Sequence, residues 1–551
     1  MTTLVDRPAV VADAPLSRRT GLWDWLTTTD HKRIAALTLT TGLVIFLVAG
    51  CFALVMRAQL ALPQQHLIGN QLYDELFTLH GSAMIFLVVT PLAIAAGVYL
   101  VPLQIGAPGI AAPRLVLFGH WLYTAGAVVL LCSILPEHAA SDGWYAYTPL
   151  SDSRFTPGIG MDLWLLGAFL AVTSMMLMGG AVLWTVVRMR APTMTLLRMP
   201  VFTWSMVVTC LMTVASFPAL LAADVLIVVG RAFPQVFSHN VWNLGYQDLF
   251  WFYGHPVVYV MFFPFVGAVA ETISTFAGRR FVGYKPTVVS LLVFAALSMA
   301  VWGHHMFTTG QEVDDYYSLT SILLSVPAGI EYFGFLSTLS GGRLVYPTAM
   351  LFALAFIPQF LVGGLTGIML GTPVLDYHVH GTYFVVAHFH YTLLAGSMFG
   401  FFAGVFLWFP KVTGAFLREG LGKLQFWLMV VGTNVTFFPM FIAGFMGLPR
   451  REATFPATFG ALNLTETIGS GILALGVAVF VINVVESLVH RRAAGEDPWQ
   501  GHTLEWATTS PPPRFNFDAA HPIPVVSSYA PLLDHRLRSA ASAAPSQEGA
   551  G

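Results

Sequence analysis

Residues 386–391 read Val-Ala-His-Phe-His-Tyr, and this stretch decides the fold. It lies inside a long apolar run from about Tyr383 to Trp408. The run is continuous and does not alternate, so if it crosses a bilayer it does so as a helix. Successive helical residues turn about 100°, so His388 and His390 leave opposite sides of one helix. One helix can then offer one imidazole to each of two separate cofactors. A single histidine in an apolar helix is more often a core residue hydrogen-bonded to a neighbouring backbone. A pair in a membrane span is harder to explain that way, because intramembrane ionisable groups are costly and usually functional.

The rest of the chain has the same character. Of 551 residues, 56% are hydrophobic and 10% charged, against about 25% charge in an average soluble domain. The expected class is all-α: a polytopic membrane protein of about twelve transmembrane helices. A net charge of −2 gives no case for nucleic acid. Cys51, Cys132 and Cys210 fall far apart in apolar runs, which suggests neither a disulfide framework nor a metal cluster. Residues 1–20 are polar and carry no cleavable signal peptide.

A bilayer span needs about 20 mostly apolar residues. Such segments fall at about 35–56, 79–102, 115–135, 160–187, 199–227, 250–273, 286–305, 317–340, 347–370, 383–408, 423–447 and 465–487. With the N-terminus in the cytoplasm, only Arg57, Arg154, Arg231, Arg450 and Arg451 of the 26 Lys and Arg lie in outer segments. That bias places both termini in the cytoplasm of a bacterial-type inner membrane. The expected organisation is an N-terminal segment 1–34, a twelve-helix domain 35–487 and a polar tail 488–551. The tail is expected to be an extended arm over the cytoplasmic face, disordered in its last, Ala/Ser/Gly-rich part.

Orientation sharpens the histidines. His80, His255, His388 and His390 stand near the outer starts of the second, sixth and tenth segments, and His304 and His305 close the seventh. Six imidazoles at one depth on four helices are poorly explained as independent core residues. Imidazole at such sites suits copper, iron or heme. The adjacent pair His304 and His305, with His255, could form a three-imidazole metal site. His80, His388 and His390 would then serve hemes: two clamping one heme, the third holding another from one side. Tyr259 lies four residues after His255, on the same helix face, where its phenol could give a proton and an electron.

These residues resemble subunit I of the heme-copper oxidase superfamily, nearest the twelve-helix cytochrome c and quinol oxidases. The resemblance runs from Trp23 through Phe515. It is carried by Thr28-Thr29-Asp30-His31-Lys32-Arg33, Leu79-His80-Gly81, Val101-Pro102-Leu103-Gln104-Ile105-Gly106-Ala107-Pro108, Trp251-Phe252-Tyr253-Gly254-His255-Pro256, Trp302-Gly303-His304-His305-Met306-Phe307-Thr308, Val385-Val386-Ala387-His388-Phe389-His390-Tyr391, and Asn434-Val435-Thr436-Phe437-Phe438-Pro439 with Pro449-Arg450-Arg451. The resemblance implies two hemes and one copper, CuB. His80 and His390 would be axial ligands of the low-spin heme and His388 the proximal ligand of the high-spin heme. His255, His304 and His305 would hold CuB, with Tyr259 covalently joined to His255. Arg450 and Arg451 would pair with heme propionates, a task suited to guanidinium. Arg57 matches the position that meets the low-spin heme's formyl group in heme a enzymes. Asp376 and His380 match residues near the propionates and an outer magnesium site.

The departures bear on protons. Where pumping relatives carry an aspartate, an asparagine and a glutamate along one cytoplasmic route, this chain has Gly109, Val98 and Val257. Where the second route uses a lysine, the aligned residue is Glu331, anchored by Pro327-Ala328-Gly329. Glu331 is the one acidic group the sequence places deep in a span, and a proton relay is its expected role. Gly381 replaces the magnesium-site aspartate beside His380, which weakens the case for magnesium. The expected function is a cytochrome c oxidase-type catalytic subunit reducing O2 to water, with weak or absent proton pumping. The alternatives are a divergent nitric oxide reductase, for which a carboxylate near the metal would be suited, and a heme-binding sensor or transporter. Expected partners are a subunit II of CuA or quinol type and a subunit III, with cytochrome c or quinol as donor. No CuA-type cysteine pair is present, Gln104 resembles some quinol oxidases, and Arg57 points to heme a over heme b only through its position.

Overall fold

A computed structural model describes residues 21–136, 138–234, 240–310 and 313–543. Among these, twelve helices are long and apolar enough to cross a membrane: α1 His31–Gln59, α2 Asn70–Gln104, α3 Pro113–Cys132, α4 Gly160–Arg188, α5 Val201–Ala232, α6 Trp242–Phe276, α7 Tyr284–Thr309, α8 Asp314–Ser340, α9 Thr348–Leu370, α10 Tyr383–Thr413, α11 Glu419–Phe445 and α12 Ala457–Val489. The described residues contain no strand, only two isolated bridge pairs. The twelve expected spans are therefore present. Several helices overrun the apolar stretches, α2 by nine residues and α6 by eight at their starts. Hydropathy marks where hydrocarbon would lie, whereas a helix continues until its hydrogen bonds are capped. Asp30 caps α1 by accepting from Lys32 N at 3.0 Å, and Thr382 caps α10 by accepting from Phe384 N at 3.2 Å.

Three of the long helices change winding beside the singled-out histidines. A π segment, Ala83–Val89, follows His80 in α2, and another, Leu393–Met398, follows His390 in α10. His304 and His305 sit in a 3-10 segment, Trp302–Thr309, at the end of α7. Single-turn π stretches inside helices are frequent at functional sites. The first is supported locally: Pro91 has no N–H for the Leu87 carbonyl, and the buried Tyr123 hydroxyl from α3 donates to that carbonyl at 2.6 Å.

Small residues set the packing. Helices in lipid gain little from hydrophobic burial against one another and rely on close fit. A Cβ on Gly126 of α3 would lie 2.8 Å from Gly167 O of α4, and one on Gly167 would lie 2.6 Å from Leu130 N. Neither position accepts a larger residue without separating these helices.

The tail is more ordered than expected. Lys411 Nζ donates to the carbonyls of Glu496, Thr508 and Thr509. The buried Glu505 accepts from Gln104 Nε2 and Trp408 Nε1, both at 3.1 Å. Lys32 Nζ holds Arg514 O and Asn516 Oδ1. The expectation of disorder in the Ala/Ser-rich end is corrected as far as residue 543, because Pro531–Ala543 is a helix tied to the body by Arg280 and Asp534. Residues 544–551, like 1–20 at the other end, lie outside the described residues.

Candidate metal and heme centre

The three-imidazole group assembles as the spacing suggested. His255 of α6 presents Nδ1 at 3.2 Å from His305 Nε2, and His304 Nε2 lies 3.1 Å from the same atom. All three ligand atoms lie within 4.8 Å of one another, and no carboxylate belongs to the group. The 3-10 winding matters here. At three residues per turn, adjacent side chains diverge by about 120°, yet the two rings converge with centroids 4.3 Å apart. Each ring is braced from outside. Trp251 stacks on His305 at 3.9 Å and 12°, and its indole donates to the Tyr147 hydroxyl. Ser321 of α8 sits 2.7 Å from His304 Nδ1 and donates its own proton to Tyr317 O. The hydroxyl thus accepts from His304, which assigns that proton to Nδ1 and frees Nε2. The Tyr259 ring stands 4.7 Å from that of His255, and His255 Nε2 has no hydrogen-bond partner.

The other three histidines share one arrangement. His80 Nδ1 meets Ala49 O of α1 at 2.9 Å. His388 Nδ1 meets Gly363 O of α9 at 3.0 Å, with Thr366 Oγ1 at 3.2 Å. His390 Nδ1 meets Val386 O at 2.9 Å, and its ring stacks on Phe437 of α11 at 4.1 Å and 11°. In each case a carbonyl fixes the tautomer and leaves Nε2 as the ligand atom, the usual outer support of a metal-bound imidazole. His388 turns to α9 and His390 to α11, so the opposite-face reading of 386–391 holds. His388 reaches α9 because Gly367 has no side chain: a Cβ there would lie 3.0 Å from His388 Cε1.

Two adjacent cations lie by the loop after α11. Arg451 covers the Tyr145 ring at 5.0 Å. Arg450 N donates to Gly381 O at 2.9 Å, and its Nε has no partner. Burial, then Arg451, lowers the Arg450 pKa. Asp376 accepts from His380 Nδ1 at 2.9 Å on the short helix Pro373–Val379. Arg57 is paired inside the protein with Glu466 of α12 at 3.1 Å.

The chain matches the family described as Cytochrome C and Quinol oxidase polypeptide I over residues 33–506. It belongs to that family. It is 42% identical to the "Probable cytochrome c oxidase subunit 1-beta" of Nocardia farcinica, over 96% of this chain and 91% of that protein. It is likewise 42% identical to the cytochrome c oxidase subunit 1 of Corynebacterium efficiens, over 93% and 89%. A solved heme-copper terminal oxidase dimer shares the fold at a TM-score of 0.70 and 18% identity, covering 83% of this chain and 84% of the other.

This member of the cytochrome c and quinol oxidase polypeptide I family is thus the catalytic subunit of a heme-copper oxygen reductase, an integral multi-pass membrane protein that associates with other subunits. The family implies heme and copper, and the residues fit both. Three imidazole nitrogens, two pairs of them 3.1–3.2 Å apart and all within 4.8 Å of one another, suit ligation of one ion at about 2.0–2.1 Å. Three further imidazoles offer a free Nε2, and Arg450 and Arg451 add two half-buried guanidiniums suited to propionate charge.

The acids revise the sequence reading. Glu331 is buried, with Oε1 unpartnered, but it does not join the metal group. It lies ten residues beyond Ser321, about 15 Å along the helix. It shares a buried face with Pro327, whose carbonyl accepts from Ser290, and Thr338, which accepts from Val282 N. Nor is it the one deep acid. Asp224 of α5, Glu271 of α6 and Glu466 of α12 are all buried within spans. They were missed because each stands alone in an apolar run, where hydropathy averages over it. A separate scan for single acids inside spans would have found all three.

Proposed function

We propose that this chain reduces O2 to water in a respiratory terminal oxidase. His80 and His390 would bind a low-spin heme axially, His388 a high-spin heme, and His255, His304 and His305 one copper, CuB. The observation that carries this reading is the all-imidazole metal group, with Tyr259 against His255. When bound, the heme iron and copper supply electrons and the place where O2 is held.

The chain's own residues do the rest. Ser321 and Trp251 hold the His304 and His305 rings so that their Nε2 atoms stay convergent. Tyr259 gives up the proton on Oη; a covalent join of its ring to Nε2 of His255, which has no hydrogen-bond partner, would replace an N–H and a ring C–H, with the two protons and two electrons passing to the O2 that the site reduces. Arg450 and Arg451 balance propionate charge, a need met at Arg450 Nε. Glu331 would pass protons from the end of α8 remote from the histidines. Val98 and Val257 are fully buried and carry no exchangeable side-chain proton, so pumping should be weak or absent. Magnesium at Asp376 and His380 finds little support, since both groups satisfy each other. The donor, cytochrome c or quinol, would act through a subunit II, with a subunit III alongside; the heme could be a or b, and both termini would face the cytoplasm of an inner membrane.

The nitric oxide reductase reading asked for a carboxylate near the copper. Glu331 stands about 15 Å along α8 from the serine bonded to His304, so O2 is the better substrate. Turnover of the purified complex with O2 and with NO tests this. Fast O2 and slow NO consumption is expected, and the reverse overturns the proposal. Proton-to-electron stoichiometry in sealed vesicles tests the pumping reading, which full pumping would refute.

A further inference from the structure

Asp224 of α5 is a buried acid without a partner. It is 2% exposed, and neither Oδ1 nor Oδ2 makes a hydrogen bond. Glu466 and Glu271, also buried within spans, are held by Arg57 and by Phe202 N. The cation on Asp224's own helix, Arg231, stands two turns further along α5 and is already taken. Its Nε donates to Asp162 at 2.7 Å, and its Nη1 donates to the carbonyls of Ser151 and Thr156, both at 2.9 Å. An ionisable group left alone inside a span is costly and marks function by default.

Packing places the carboxyl. Phe217 precedes Asp224 by seven residues, two turns, so both share one face of α5. The Phe217 ring meets the Tyr253 ring of α6 with centroids 4.9 Å apart. The two helices run antiparallel, so Asp224 falls opposite Tyr246, which stands two turns before Tyr253 on the same face of α6. Both phenols lie within electrostatic reach of Asp224. The Tyr246 hydroxyl donates to Tyr145 O at 2.8 Å, in the loop between α3 and α4. That loop also brings Tyr147 and Asp142 towards Tyr246, and Asp142 accepts from Thr156 Oγ1. Among the described residues, the other segments packed on α5 add Tyr99 of α2, Arg188 of α4, and Tyr284 and Lys285 of α7, all towards its opposite end. Asp224 therefore faces phenols and no cation.

His255 follows Tyr246 by nine residues, so the carboxyl stands about 13 Å along the axis from the proposed pocket of copper and high-spin heme. We propose that Asp224 is a redox-linked proton-binding residue: it takes up a proton as that centre gains an electron and releases it as the centre is oxidised. The inference rests on the assignment of His255, His304 and His305 to copper and of His388 to the high-spin heme. The electron comes from the donor, and the proton comes from water at the loop between α3 and α4, by way of Tyr246. An Oδ–H bond forms on reduction and breaks on oxidation. An electron added about 13 Å away repels a carboxylate by more than thermal energy, because the effective dielectric within protein is far below that of water. The two changes are therefore coupled.

The test is spectroelectrochemical titration of the high-spin heme in the purified complex, from acid to alkaline pH. In wild type the potential should fall as pH rises, because reduction takes up a proton. The D224N side chain is neutral at every pH. This variant should match wild type at acid pH and exceed it at alkaline pH by about tenfold in the reduction equilibrium, about 59 mV for one electron. D224E should keep the wild-type dependence. An equal fall with pH in D224N and wild type, or one constant offset at every pH, overturns the proposal. Should D224N not assemble, D224E decides by infrared difference spectroscopy. In wild type carrying aspartate isotope-labelled at its side-chain carboxyl, reduction should raise a protonated-carboxyl band that shifts with the label, and in D224E that band should lose the shift. Absence of the band in wild type, or its persistence unchanged in D224E, overturns the proposal. Loss of the high-spin bands in H388A, with the low-spin bands kept, tests the heme assignment separately, so the two failures are distinct.

Discussion

Replacing Ser321 with alanine removes one hydrogen bond at the edge of the metal group. The Ser321 hydroxyl gives its only proton to Tyr317 O and accepts from His304 Nδ1 at 2.7 Å. Without it, a buried imidazole N–H loses its acceptor, which costs about 1–3 kcal/mol. The ring is then free to rotate or change tautomer, and either places a proton where the copper lone pair should be. Loss of such an outer partner lowers metal affinity about 10–100-fold, or about 1.4–2.8 kcal/mol, which agrees with the hydrogen-bond figure. Copper per complex, measured after dialysis against graded chelator, should therefore fall at lower chelator in S321A than in wild type. Heme content should not change, because no heme-assigned histidine touches Ser321. Equal copper retention in S321A and wild type, with copper lost from H304A, would refute the claim that the hydroxyl fixes the ligand atom.

Three further outcomes are expected. Gly367→Ala drives a methyl group to 3.0 Å from His388 Cε1, and overpacking of this kind costs about 1–3 kcal/mol; carbon monoxide difference spectra should report weakened high-spin heme with the low-spin bands intact. Glu331→Gln removes an exchangeable proton, and O2 turnover should fall by about 10²-fold; unchanged turnover across pH would end the relay reading. Asp142 lies in the loop between α3 and α4, where burial raises its carboxyl to about 6 against the opposing Thr156 and Arg231. The folded loop then holds more protons than the unfolded chain between about pH 4 and 6, so its stability falls as pH rises through that window. Protection factors across residues 139–157, that is, exchange rates divided by the intrinsic base-catalysed rate at each pH, should fall over that range in wild type and stay flat in D142N.

Much of the centre was legible because its signals are local. The span count follows from length and apolarity. The divergence of His388 and His390 follows from two-residue spacing on a helix, and the three-imidazole group from an adjacent pair plus a histidine in a facing span. What was not legible depends on neighbours. The π winding after His80 depends on the Tyr123 hydroxyl, from another helix, donating to the Leu87 carbonyl that Pro91 leaves free, and nothing local marks the winding after His390. Arg57 reads as a surface-side cation until α12 brings Glu466 against it. Glu331 reads as a deep acid, but only packing decides that it faces the Pro327–Thr338 stripe of α8 and not the metal group.

The sequence alone determined that this chain crosses a membrane twelve times and carries six imidazoles suited to metals, because hydrophobicity and helical period act over a few residues at a time. Tertiary structure decided which nitrogen of each histidine is free. A ring's tautomer is set by whatever accepts from the other nitrogen, and those acceptors come mainly from other helices: Ala49 for His80, Gly363 for His388 and Ser321 for His304. It also decided the charge balance around the pocket, because electrostatics in a low-dielectric interior depends on distance through space, and 409 positions of chain separate Arg57 from the carboxylate that neutralises it.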